Sequence, residues 1–323
     1  MRSVRWLGLL ALYVGAQLVG LALANPFRSE GFSSSSSGPQ NPASLLPILV
    51  VIVVAPLVIL WFARRRGGLA TVRGGILVAV AGSMYITLFA TFSLLPPGGV
   101  LLPPFAAENL YDPALTLAAV ASAAIYVALL MEPQWYIVDL AGFVAAGALV
   151  AILGISFGPL LAVLLLLALM VYDAIAVYVT KHMVSLADSV TEMKLPILMV
   201  MPESGGYDYT AAPTLREQRT RPVEERGAMF MGLGDIVIPG TLVVAAFVWL
   251  PVTPAVLGVG ANLWIALGAL AGSLVGYGVL MRFVLGGNPQ AGLPLLNGGA
   301  LAGYAVAYLL LLHSATLGLT GGL

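Results

Sequence analysis

The 323-residue sequence has no cysteine, two histidines and few charges: Lys plus Arg number 14, Asp plus Glu number 14, and together they make up 9% of the chain. Without cysteine there is no disulfide framework and no thiol chemistry. His182 and His313 lie far apart in the chain, so a histidine-built metal site is not expected. A net charge of zero leaves no electrostatic footprint for nucleic acid. What fills the space is apolar: 60% of residues are hydrophobic, whereas a soluble domain carries about 45–50% apolar and about 25% charged residues. No soluble fold of this length hides so much apolar surface, so the solvent is lipid.

A spanning helix needs about 20 mostly apolar residues, and nine stretches qualify: Val4–Ala24, Ser44–Ala63, Gly74–Leu95, Pro113–Met131, Trp135–Gly154, Pro159–Thr180, Ala228–Leu250, Ala261–Leu285 and Gly292–Leu317. The first follows Arg2 and Arg5 as a signal peptide would, but its apolar run is too long for an ordinary h-region. The expected fold class is all-α, a polytopic membrane protein forming a single bundle over residues 1–323. Spans one to six cover about 4–180, a cytoplasmic loop covers 181–227, and spans seven to nine cover about 228–317.

Positive charge sets the orientation. With the N-terminus in the cytoplasm, Arg2, Arg5, Arg64, Arg65, Arg66, Arg73, Lys181, Lys194, Arg216, Arg219, Arg221, Arg226 and Arg282 all fall inside, leaving Arg28 alone outside among the 14 basic residues. The C-terminus is then extracytoplasmic and the localisation is a cell membrane crossed many times. Outside, the Ser-rich run Asn25–Asn41 reads as a flexible linker, and Pro96–Asp112 is a loop without basic residues. Inside, the loop 181–227 reads as long, polar and mobile.

Three acids fall within spans: Asp139, Asp173 and Asp235. A carboxylate in a bilayer is costly and signals function. Asp173 stands eight residues before Lys181 and Asp235 eight after Gly227, which at 1.5 Å per residue sets both roughly 12 Å deep on antiparallel neighbours. Two facing carboxylates cannot both ionise cheaply, so one holds a proton and the pair titrates as a unit. The ionised member draws a proton from attacking water and the protonated one donates to the peptide carbonyl. On charge alone, a structural contact or the proton relay of a transporter remains equally open. Asp139 reads as a hydrogen-bonded structural acid, with tuning of the pair or a water path as the alternatives.

The flanking residues narrow the choice. Asp235 closes Gly232-Leu233-Gly234-Asp235, followed by Ile236 to Gly240; glycines there loosen the helix and admit another backbone. Asp173 follows Tyr172 within an apolar run. Gln290-Ala291-Gly292-Leu293-Pro294-Leu295-Leu296 opens span nine on the same membrane side. Tyr–Asp in the sixth span, Gly-Leu-Gly-Asp in the seventh and Pro-x-Leu opening the ninth resemble the presenilin and signal peptide peptidase family of intramembrane aspartyl proteases. Gly-x-Gly-Asp alone is weak, since prepilin peptidases carry a similar motif; the ordered set is strong.

The resemblance implies that Asp173 and Asp235 are catalytic, and that Tyr172, Gly232, Leu233, Gly234, Pro294, Leu295 and Leu296 shape the substrate site. Leu295 stands where the family usually has alanine, which bears on substrate preference. It also implies an endopeptidase cutting transmembrane segments with water as nucleophile and no metal or organic cofactor. The partners expected are transmembrane substrates and the bilayer, with no obligatory subunit and a homo-oligomer left open. The apolar stretch Pro196–Pro202 is too short to span. It reads either as a strand able to pair with an extended substrate or as loop packing. Gly268, Gly272 and Gly276 form a close-packing stripe, and His313 reads as a pore- or bundle-facing polar residue.

Overall fold

The structure is a computed structural model that describes residues 2–29, 31, 41, 43, 45–63, 68–93, 113–180, 195–211, 227–286 and 290–319. The described helices are α1 (Arg2–Ser29), α2 (Leu45–Ala63), α3 (Gly68–Ser93), α4 (Pro113–Met131), α5 (Trp135–Ser156), α6 (Pro159–Ala174, continued by a π-helical turn Ile175–Val179), α7 (Leu233–Trp249), α8 (Ala261–Leu285) and α9 (Gly292–Leu312). Two short hairpins complete them: β1 (Leu198–Pro202) with β2 (Ala228–Gly232), and β3 (Ala255–Val256) with β4 (Val259–Gly260). Seven of them, α1, α3, α4, α5, α6 with its π-helical turn, α8 and α9, are long and apolar enough to cross a membrane by length and composition. His182 and the charged stretch Leu215–Arg226 lie outside the described residues.

The helices follow the predicted order, with one consequential difference. Ala228–Gly232, expected to open the seventh span, is a strand. It pairs antiparallel with β1, Leu198 opposite Gly232 through Pro202 opposite Ala228. Gly232, extended at φ −68° and ψ 140°, stops the strand and caps α7. The hairpin's cross-strand contacts outweigh the run of apolar residues that reads as helix. α7 is therefore 17 residues long, and Asp235 lies in its first turn rather than two turns in. The residue count that set the aspartates level thus fails on the α7 side. α9 also ends early, at Leu312, where His313 adopts a left-handed conformation with φ 49°; this histidine is exposed rather than turned to the bundle.

Three buried clusters hold the bundle together. One joins α1, α5, α7 and α8 through Leu9, Tyr13, Val150, Val244 and Tyr277. A second joins α6 to α7, α8 and α9 through Leu165, Leu169, Leu242, Ile265 and Tyr304. The third packs α3, α4 and α5 against the β1 region through Met84, Leu129, Val138, Leu195, Val200 and Tyr209. Residues 195–211, between α6 and α7, are thus anchored to the bundle. Large side chains such as Val51, Val120, Val275 and Leu310 point outward, as lipid-facing residues do.

The α8–α9 contact is set by glycine. A Cβ on Gly272 would strike the Gly299 carbonyl, one on Gly276 the Leu295 carbonyl, and one on Gly303 the Gly268 carbonyl. This bears out the expected packing stripe and fixes the start of α9 against α8.

Candidate active site

α9 begins with a deficit. Its N-cap is Ala291, which has no side-chain acceptor for the first helical N–H groups. α6 supplies the acceptors. Asp173, buried in the last α-helical turn of α6, takes the Leu293 N–H on Oδ2 at 3.1 Å and also faces the Gly292 N–H. One turn on, in the π-helical segment, the Tyr178 hydroxyl accepts the Ala291 N–H at 3.2 Å. A carboxylate at a helix N-terminus is favoured by both the free donors and the helix dipole.

Asp235 reaches the same place from α7. It is the third residue of the helix, and its carboxylate faces the N–H of Gly232, the N-cap, in the position of the reverse arm of a capping box. A Cβ built on Gly292 would stand 3.0 Å from Asp235 Oδ1 and 3.2 Å from Oδ2. The first residue of α9 is therefore flanked by both carboxyl groups, which lie within electrostatic reach of each other. Shared packing on Gly292–Leu293 brings the two acids to one level.

The other predicted residues divide. Gly232 borders the Asp235 carboxylate, and Gly234 is exposed with nothing within 4 Å of where its Cβ would be. Tyr172 is half-buried against the α6–α9 cluster. Pro294 and Leu295 are half-buried at the head of α9. Leu233 and Leu296 turn inward: the Leu233 side chain is buried against Gly142 of α5, and Leu296 is wholly buried in the core. Their apolar bulk fills the bundle beside the acids. Gly292, the Leu293 N–H and Tyr178 went unassigned in the sequence; the signal was a helix start without any capping side chain.

The third acid, Asp139, stands apart from the pair and meets the β1 strand. Buried on α5, it accepts the Val200 N–H at 2.7 Å. The hairpin bonds Leu233 N–H to Ile197 O and Glu203 N–H to Gly227 O, so the backbone groups of Ala228, Phe230 and Gly232 turn away from β1. The outer edge of β1 is taken at Val200 by Asp139. The outer edge of β2 leads straight to Asp235. Among the described residues, no group of three His, Cys, Asp or Glu side chains stands together as a metal site would.

Compared with known families, residues 10–312 match the one described as signal-peptide peptidase, presenilin aspartyl protease. The chain belongs to that family. Two solved structures of a presenilin family intramembrane aspartate protease resemble it. One, in space group C222, has a TM-score of 0.65 and 29% identity, covering 95% of this chain and 100% of that one. The other, in space group P2, has a TM-score of 0.59 and 29% identity, covering 94% and 97%. No curated protein matches the chain. The protein is a multi-pass membrane protein and an intramembrane aspartyl protease, a hydrolase whose substrates are transmembrane proteins. Family membership thereby separates proteolysis from the proton relay that the buried aspartates alone left open.

Proposed function

We propose that Asp173 and Asp235 are the catalytic pair, acting on a water molecule bound between them. One carboxylate takes a proton from the water as its oxygen attacks the peptide carbonyl; the other, protonated, donates to the carbonyl oxygen. The observation that carries this reading is the convergence of both carboxyl groups on Gly292–Leu293 from two different helices. Gly232 and Gly234 leave room beside Asp235 for an unwound substrate, and Pro294 and Leu295 border it at the head of α9.

The substrate is taken as an extended strand along the outer edge of β2. Edge addition was expected of Pro196–Pro202; the engagement of Val200 by Asp139 favours β2 instead. Backbone pairing of this kind is indifferent to side-chain identity, which suits a protease that cuts transmembrane segments. The chain works as one bundle with a cytoplasmic N-terminus and an extracytoplasmic C-terminus, and it cuts without a partner subunit. The distribution of its basic residues supports the orientation.

The test uses the purified protein, alone, with a membrane-spanning peptide and a hydroxyl-containing peptide isostere. Wild type is expected to cut the peptide and bind the isostere, and Asp173→Ala and Asp235→Ala to lose cleavage. A wild-type protein that neither cuts nor binds overturns the reading, and either variant cutting at the normal rate overturns the assignment of the pair.

A further inference from the structure

Polar groups buried in a membrane protein are paired as a rule. Among the described residues, a cluster on α1 departs from that rule. Tyr13 and Gln17, one turn apart on α1, are both 0% exposed. The Tyr13 hydroxyl and both amide atoms of Gln17 find no hydrogen-bond partner among the described residues. The Tyr13 hydroxyl faces the Gln17 amide and the buried Ser273 hydroxyl of α8, yet neither pairing reaches hydrogen-bond geometry. Ser273 donates to the Leu270 carbonyl at 2.7 Å, which leaves its oxygen able to accept. Tyr277 packs its ring 5.5 Å from that of Tyr13 and gives its hydroxyl to the Trp6 carbonyl at 2.8 Å, so it does not complete the group. On the α7 side, a Cβ at Gly240 would stand 3.1 Å from Gln17 Cγ. Tyr13 also lies within electrostatic reach of the Asp235 carboxylate.

A leucine at position 17 would fill this space without orphaned atoms. The atoms present instead are neutral donors and acceptors: a hydroxyl, an amide N–H₂, an amide oxygen and a second hydroxyl oxygen. That is the partner set of internal water, which makes about two to four hydrogen bonds where it is buried. It carries no charge to recognise an ion. Hydrolysis consumes one water per cut, its hydroxyl joining the new carboxyl group and its proton the new amine, and lipid supplies none.

We propose that Tyr13, Gln17 and Ser273 hold internal water beside Asp235, from which the hydrolytic water is replaced between turnovers. The delivery role rests on Asp235 being catalytic; the water site does not. Two measurements test it. Radiolytic hydroxyl-radical footprinting, in which bound water is the radical source, should oxidise Tyr13 despite its burial, in wild type and in Asp235→Ala alike, and should lose that label in Gln17→Leu. Kinetically, Gln17→Leu should lower kcat about tenfold, a change of about 1.4 kcal/mol, with KM near wild type and an unfolding temperature no lower than wild type. Gln17→Asn, which keeps the amide, should recover part of kcat. An unlabelled Tyr13 overturns the proposal whatever kcat does. A labelled Tyr13 with unchanged kcat in Gln17→Leu overturns the delivery role. Cleavage at the normal rate by Asp235→Ala overturns the catalytic assignment instead, and leaves the footprint to decide the water site.

Discussion

Gly292→Ala isolates geometry from fold. Its Cβ would meet Asp235 Oδ1 at 3.0 Å, Oδ2 at 3.2 Å and Cγ at 3.3 Å, against ordinary contact from 3.4 Å. The deficit is about 0.4 Å, and the Asp235 side chain rather than backbone must absorb it. A misplacement of 1 Å in a reacting group costs about 100-fold in rate, so a shift of about 0.4 Å should cost roughly six- to tenfold in kcat. The fold has no reason to suffer, because alanine is the better helix former by about 1 kcal/mol and the backbone at Gly292 is helical. The assay is steady-state cleavage of a membrane-spanning peptide in bicelles, with thermal unfolding alongside. Gly234→Ala serves as the comparison, since nothing lies within 4 Å of its Cβ; it should leave Asp235 in position and alter KM if substrate passes there. Full kcat in Gly292→Ala, with unfolding unchanged, would refute the claim that α9 sets the Asp235 carboxylate.

Three further expectations follow from single contacts. Asp139→Leu strands the Val200 N–H, a hydrogen bond to a carboxylate being worth about 1.5–3 kcal/mol; KM for a transmembrane peptide should rise about tenfold or more, while Asp139→Asn, which keeps an acceptor, stays near wild type, and equal KM values in both variants would remove the hairpin's role. Gly276→Ala drives a Cβ into the Leu295 carbonyl, and overpacking of this kind costs about 1–3 kcal/mol; thermal unfolding should fall and activity with it, and an unaltered unfolding curve would contradict the α8–α9 contact. The exposed Asp208 carboxylate is drawn down to about 2, first by the Thr210 hydroxyl, then by the Gln134 amide and the Thr210 N–H. Its value in the fold lies below the unfolded value of about 4, so its contribution is complete above about pH 4 and is lost as pH falls toward 2. Amide exchange at Thr210 checks this, and protection already lost at pH 5 would exclude it.

Much of this architecture was legible in the residues. Apolar run lengths located the helices because lipid demands about 20 residues of internally bonded backbone per crossing. The burial cost of an ionisable group singled out Asp139, Asp173 and Asp235, and the Gly272 and Gly276 stripe marked the α8–α9 contact. The strand Ala228–Gly232 was not legible. Its residues are apolar enough to read as helix, and it is extended because Leu198–Pro202, some 30 residues earlier, pairs with it. Nor was the inward turn of the Leu233 and Leu296 side chains legible.

Sequence alone therefore determined the solvent, the order of the helices and which carboxyl groups had to be explained, because transfer free energy is a property of residues taken one run at a time. Tertiary structure decided what those carboxyl groups meet. A helix start at Ala291 without a capping side chain needs an acceptor from elsewhere, and only the packing of α6 and α7 around Gly292 brings Asp173 and Asp235 to it. The same holds for Asp139, which stands 61 residues from the strand it fixes, and for Tyr13 and Gln17, whose unpaired atoms become apparent only once α7 and α8 close over them. Hydrogen bonds between distant segments depend on relative position in space, and that is the part of the chemistry that residue pattern does not carry.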